Sequence, residues 1–205
     1  GREWVLPYIK KHRALFVTGQ LYPLAIWGDK VLFWFIAGDR IGSTIFRLFP
    51  SYDVAVYIGT LTMIPGLVYF IIGVEPDVYV RIKRFLLVLN IAKLREIQMR
   101  KYEMLRHLRL AVNRITVFGG IIALVFILLT PQLIRLFETA ASWNHLLLCF
   151  AAVFAHFCFL VYMNVLFYLN FYRHTCTGAL LFFLINCAVS AGIGISGYTE
   201  AAGAG

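Results

Sequence analysis

The chain has 205 residues, 61% of them hydrophobic and only 14% charged, with a mean hydropathy of +0.79. Soluble domains carry about 45–50% apolar and about 25% charged residues, so this composition excludes an ordinary soluble domain and indicates an integral membrane protein. The net charge of +9 and pI of about 9.6 would point to nucleic acid in a soluble chain, but in a membrane protein the bases are read as topology first.

A helix of about twenty residues crosses the roughly 30 Å of bilayer hydrocarbon. Five segments are predicted to span: 14–37, 54–74, 115–137, 146–169 and 178–198. The expected fold is therefore an all-α polytopic membrane protein with a single membrane domain. Residue 1 is Gly, and the chain stops at GYTEAAGAG just past an apolar segment, which is the pattern of a fragment.

The first segment carries an acid and a base, Asp29 and Lys30, near its middle, within YPLAIWGDKVLFWF. A charge near the centre of a lone spanning helix costs about 2.5–3.5 kcal/mol. Adjacent helical residues point about 100° apart, so these two do not neutralise each other, and each needs its own partner or water. Three arrangements meet that need. The helix sits shallow and Lys30 snorkels to the interface; the two join a buried network with other helices; or they line a polar cavity through which cargo passes. Ionisable residues within a membrane are functional-site candidates by default. Asp29 and Lys30, with the amphipathic aromatics Tyr22, Trp27 and Trp34, are the candidate transport pathway. Pro23 and Gly28 loosen the helix around them.

Pro65 lies inside the second segment, where neighbouring helices re-satisfy the freed carbonyl. The connection 75–114 is too long and too patterned for a plain loop. Leu87, Ile91, Leu94, Tyr102, Leu105, Leu108 and Val112 recur at helical spacing, while Lys93, Glu96, Arg100, Glu103 and His107 form another face. Glu96 and Arg100 stand four apart in the favourable order for an ion pair. The expectation is a basic amphipathic helix in the headgroup plane. Lys93, Arg95, Arg100, Lys101, Arg106 and Arg109 form its candidate surface for anionic lipids or a cytoplasmic partner. Ten of the nineteen Lys and Arg lie in 75–114, four more in residues 1–13, and Arg173 in the turn near 170–177. Only Arg40, Arg47 and Arg135 fall on the opposite side. Positive-inside then places 1–13, 75–114 and 170–177 in the cytoplasm, and nucleic acid is not needed to explain the charge.

Pro131 falls within the third apolar run. In the fourth segment His156 has no second ligand three or four residues away, and reads as a hydrogen-bonding residue sooner than a proton relay. Asn164 and Asn186 read as interhelical hydrogen-bonders. GIGISG, with Gly192, Gly194 and Gly197, spells a dinucleotide fingerprint but lacks the strand, the following helix and the distant acid. It is the small-residue end of a membrane helix. Cys149, Cys158, Cys176 and Cys187 have neither CxxC nor zinc spacing and read as small buried hydrophobes. No catalytic constellation, metal site or phosphate loop is present in the pattern, so no enzyme activity and no cofactor are expected.

The motif around the charged couple is the most specific part of the chain. YPLAIWGDKVLFWF resembles the W-x-D-K-x-x-F-W-F motif of the PelG family, the inner-membrane transporters of the Pel exopolysaccharide system. SYDVAVYIGTLTMIPGLVYFIIGVE (51–75) resembles that family's next segment, and LFYLNFYRHTCTGALLFFLINCAVSAG (166–192) also follows its pattern. The sequence departs after LFYL, where Asn170 and a single Arg173 replace acids and a paired arginine. The resemblance implies the second bundle of a twelve-helix flippase, without its last helix. It implies export of a hexosamine-rich polysaccharide across the bacterial inner membrane. It further implies a cytoplasmic glycosyltransferase and membrane-anchored Pel proteins as partners, one of them sensing cyclic di-GMP. Two other readings stand beside it: an ion-coupled drug or lipid exporter with Asp29 as the ion site, and a non-transporting scaffold that recruits a glycosyltransferase through 75–114.

Overall fold

A computed structural model of the chain describes residues 7, 9–89, 92–137 and 143–195. Arg2, Gly197 and the end of the expected fifth span, 196–198, lie outside the described residues. Among the described residues are seven α-helices, one π-helical turn and a two-stranded hairpin.

Helix α1 (Arg13–Ala37) runs through Pro23 and stops where Gly38 turns to extended backbone, its N–H still held by the Trp34 carbonyl. A short hairpin follows, with β1 (Asp39–Arg40) antiparallel to β2 (Arg47–Leu48) and Arg40 opposite Arg47. Gly42, at φ +55, supplies the left-handed residue of its turn. Helix α2 (Pro50–Tyr69) opens with proline in its first turn, where no intrahelical N–H is needed. It passes through a π-helical turn (Phe70–Val74) directly into α3 (Glu75–Val88). Helix α4 (Leu94–Leu128) has 35 residues. After it come α5 (Thr130–Phe137), α6 (Trp143–Tyr168) and α7 (Tyr172–Ile195). Asn170, at φ 59, takes the left-handed position in the tight turn between the last two.

Among the described residues four stretches are long and apolar enough to cross a membrane: Pro50–Val88, Leu94–Leu128, Leu146–Tyr168 and Tyr172–Ile193. Helix α1 matches the expected first segment and has the length, with 25 residues. Asp29 and Lys30 dilute its hydropathy, and it is not among the four.

Two expectations are corrected. The third apolar helix does not run 115–137; it begins at Leu94 and ends at Leu128. Pro131 has no N–H to give the Ile127 carbonyl, so the chain breaks at Leu129 and restarts as α5 with the proline in its first turn. The basic connection is also no separate interfacial helix. Its first part is α3, continuous with α2, and its second is the start of α4. At 1.5 Å per residue α4 is about 52 Å long, well beyond the roughly 30 Å of hydrocarbon.

The main core joins three helical rods. Met63, Phe70, Val74, Val78 and Ile82, from α2 through α3, pack against Met104, Val112 and Ile115 of α4 and Phe157, Val161 and Val165 of α6. A smaller cluster at the other end joins Ala55 and Ile58 to Leu146, Cys149 and Phe150. Helix α1 packs mainly on α7. Lipid is as apolar as leucine, so these contacts rely on close fit. The Phe157 ring shows it, lying in a notch made by Gly66 and Gly119. A Cβ on Gly119 would come within 2.6 Å of the ring, and one on Gly66 within 3.0 Å. At the α2–α3 junction the Tyr168 hydroxyl donates to the Glu75 carboxylate, tying the end of α6 to the π turn.

Gly119→Val should therefore destabilise the bundle by about 1–3 kcal/mol, the usual range for overpacking. Detergent-phase thermal unfolding measures it. Gly192→Ala, in open space, should leave the midpoint unchanged. Phe157→Ala placed on Gly119→Val should recover part of the loss.

Candidate functional site

Thr18, Tyr22, Ala25, Asp29 and Phe33 recur at four, three, four and four residues, which puts them on one face of α1. Thr18, Ala25 and Phe33 are buried, so this face is the one turned into the bundle. Every polar group along it is satisfied. The Thr18 hydroxyl donates to the Ala14 carbonyl at 2.7 Å. Tyr22 Oη and His156 Nε2 share a hydrogen bond of 2.7 Å, joining α1 to α6. The Asn186 amide donates to the Ala25 carbonyl at 2.7 Å, joining α7 to α1. The Tyr52 hydroxyl donates to Asp29 Oδ2 at 2.5 Å, joining α2 to α1. The second oxygen of Asp29 accepts the Lys30 backbone N–H at 2.8 Å.

Lys30 turns away from the acid. Its Nζ lies 4.6 Å from the centre of the Trp27 ring, three residues back on the helix, in a cation–π contact. Trp34 Nε1 reaches both carboxylate oxygens of Asp53 at 3.1 Å. Asp53 lies in the first turn of α2, where the helix dipole favours a negative charge, and it also accepts the Phe49 N–H at 3.4 Å. Phe33 packs on Tyr52 with ring centres 4.5 Å apart, which holds the phenol over Asp29.

The couple is not at the middle of its helix. Asp29 stands eight residues, about 12 Å, from the Ala37 end and twice that distance from Arg13. That offset is what lets the first turn of α2 reach it. On α6, Cys149 and His156 are seven residues apart, on one face. Tyr22 and Asp29 are likewise seven apart on α1, so the two helices present matched faces.

The candidates separate as follows. Asp29 and Tyr22 lie on the inward face, each bonded to another helix. Trp34 is half-buried on Asp53, while Trp27 is 54% exposed and covers Lys30. Lys93, Arg95, Arg100, Lys101, Arg106 and Arg109 are all exposed along α4 or at its start. Arg100 pairs with Glu103 at 3.8 Å instead of the expected Glu96. Asn186 is the expected interhelical bonder, but Asn164 instead caps the Leu160 carbonyl of its own helix. The four cysteines are free thiols. Tyr52 and Asp53 were not among the candidates. Their signal is an acid three residues after a helix-starting proline, in PSYD.

These residues define a helical bundle built to cross a membrane, with a polar face running along its first helix. A family model described as "PelG: Putative exopolysaccharide Exporter (EPS-E)" matches residues 2–205. The chain belongs to the PelG family, and that membership gives it a transport role with exopolysaccharide as the class of cargo. No curated protein and no solved structure matches it.

Asn186→Leu should lower the unfolding midpoint by the worth of one interhelical hydrogen bond, about 0.6–1.7 kcal/mol in membrane bundles. Asn164→Leu, which breaks only an intrahelical contact, should cost less. Thermal scans of the two variants side by side decide between them.

Proposed function

We propose that the chain forms part of the path by which a Pel-type exopolysaccharide leaves the cytoplasm across the bacterial inner membrane, working within a synthase–transporter complex. The observation that carries this reading is the Asp29–Tyr52 hydrogen bond on the inward face of α1. A carboxylate is kept inside the bundle by a neutral donor instead of a counter-charge. An acid held that way retains acceptor capacity for sugar hydroxyls or for a cationic amino sugar. Lys30, beside it, sets the local field. Trp27 and Trp34 offer flat faces on which a sugar ring stacks once Lys30 or Asp53 lets go. No covalent step is involved; binding at this face alternates as one bundle rocks against another. The exposed bases of α4 are the surface on which a cytoplasmic glycosyltransferase and membrane-anchored Pel proteins assemble.

A second reading has its own support. Tyr22 ties His156 of α6 to the same face of α1 that carries Asp29, so this face holds the titratable groups that a proton or sodium site of an ion-coupled drug or lipid exporter would use. Proton-dependent dye efflux without loss of polymer on deletion would favour it. A scaffold role predicts instead that Asp29 is dispensable while the α4 bases are needed.

Asp29→Asn and Lys30→Met in the full-length protein test the proposal. Each should cut secreted polysaccharide by about tenfold or more at equal protein abundance, about 1.4 kcal/mol or more in the limiting step. Normal secretion from both variants would overturn it.

A further inference from the structure

We propose that the cleft between α3 and the first half of α4 binds an anionic phospholipid of the cytoplasmic leaflet. Its phosphate would rest on the arginines and its chain along the apolar wall. The cleft measures about 410 Å³ and is lined by Arg81, Arg84 and Phe85 on one side and Arg100, Met104 and His107 on the other. That volume suits a headgroup and part of an acyl chain, within the roughly 300–1,000 Å³ of small-molecule sites, and is too small for a partner helix.

The charge is arranged for an anion. Three arginines line it, Arg81, Arg84 and Arg100, against one acid, Glu103. Arg81 is paired with Asp77 at 2.9 Å and Arg100 with Glu103 at 3.8 Å. Both pairs are well exposed, and pairs of that kind are worth about 0–1 kcal/mol, so a phosphate displaces them readily. Arg84 is exposed and makes no ion pair among the described residues. Planar forks of this kind match phosphate oxygens bidentately.

The apolar wall then selects a lipid over a free anion. Phe85 and Met104 line the cleft, and Leu87, at its rim, is 59% exposed. The cleft also opens at the right depth. Arg81 lies six residues, about 9 Å, past Glu75, just beyond the end of the expected span 54–74. The concentration of bases here makes it the cytoplasmic side, and basic pockets between membrane helices on that side are suited to acidic headgroups. This site is separate from the Asp29 face, so its failure leaves the export reading untouched.

The test is native mass spectrometry of the purified full chain equilibrated with phosphatidylglycerol or phosphatidylcholine. The wild type should retain phosphatidylglycerol preferentially, and Arg81→Gln/Arg84→Gln/Arg100→Gln should lower that retention at least about tenfold. Lys10→Gln/Lys11→Gln/Arg173→Gln removes the same charge on the same side, outside the cleft, and should change it little. An equal loss in that control would mean general surface attraction and overturn the site. So would unchanged retention in the cleft variant, including the case where an acidic protein partner is lost instead. Displacement of the lipid by inorganic phosphate as effectively as by lysophosphatidylglycerol would assign a free-anion site and also overturn it. Thermal unfolding checks that the triple variant is folded. If it is not, Arg84→Gln alone, which breaks no ion pair, should still reduce retention about threefold, and no reduction would overturn the proposal.

Discussion

The hydrogen bond from Tyr52 to Asp29 is the contact that makes the first helix tolerable inside this bundle. A carboxylate placed among apolar side chains needs a donor at short range to offset the hydration it gives up. Tyr52 supplies the donor from the opening turn of α2, and Phe33 fixes the ring that carries it. The same requirement shapes the rest of the face. Tyr22 finds His156, the Ala25 carbonyl finds Asn186, and Trp34 finds Asp53. These bonds run from α1 to α6, α7 and α2 in turn, so the helix is tied to three others by its polar atoms. Its helix-to-helix packing is mostly on α7.

The separation of Asp29 from Lys30 follows from helix geometry. Neighbouring residues cannot share one face, so the acid turns inward and the base folds back over Trp27. The molecule therefore holds the two charges in different surroundings one residue apart. The acid is buffered by a phenol and a backbone amide, the base by an aromatic face. Neither is neutralised outright, which is the condition under which a membrane-embedded charge remains available to a polar cargo.

Much of the fold could be read from periodicity and length. The first, second, fourth and fifth apolar segments correspond to helices, because runs of twenty or so apolar residues leave the backbone no other way to satisfy itself in lipid. Boundaries were harder. Helix α4 continues through the change from amphipathic to apolar composition because helical hydrogen bonding does not register that change. Pro131 ends it nine residues before the expected limit, since a missing N–H outweighs a favourable side chain. The site was legible in part. Asp29 and Tyr22 announce themselves as polar atoms in apolar company, whereas Tyr52 and Asp53 sit at a helix start, where such residues are ordinary. Only the folded arrangement joins PSYD to WGDK, and no spacing along the chain encodes that proximity.

The length of α4 has a mechanical side. An unbroken helix of 35 residues behaves as a stiff rod, with one end beside α5 and the other at the α3–α4 cleft. A rotation of about 10° about its midpoint carries each tip about 4–5 Å, in opposite senses. Because Val112 and Ile115 are clamped near the fulcrum by the core, a small tilt at one end is matched by an opposite movement of similar size at the other. A lever of that kind would couple the far end of α4 to the width of the arginine-lined cleft through geometry alone.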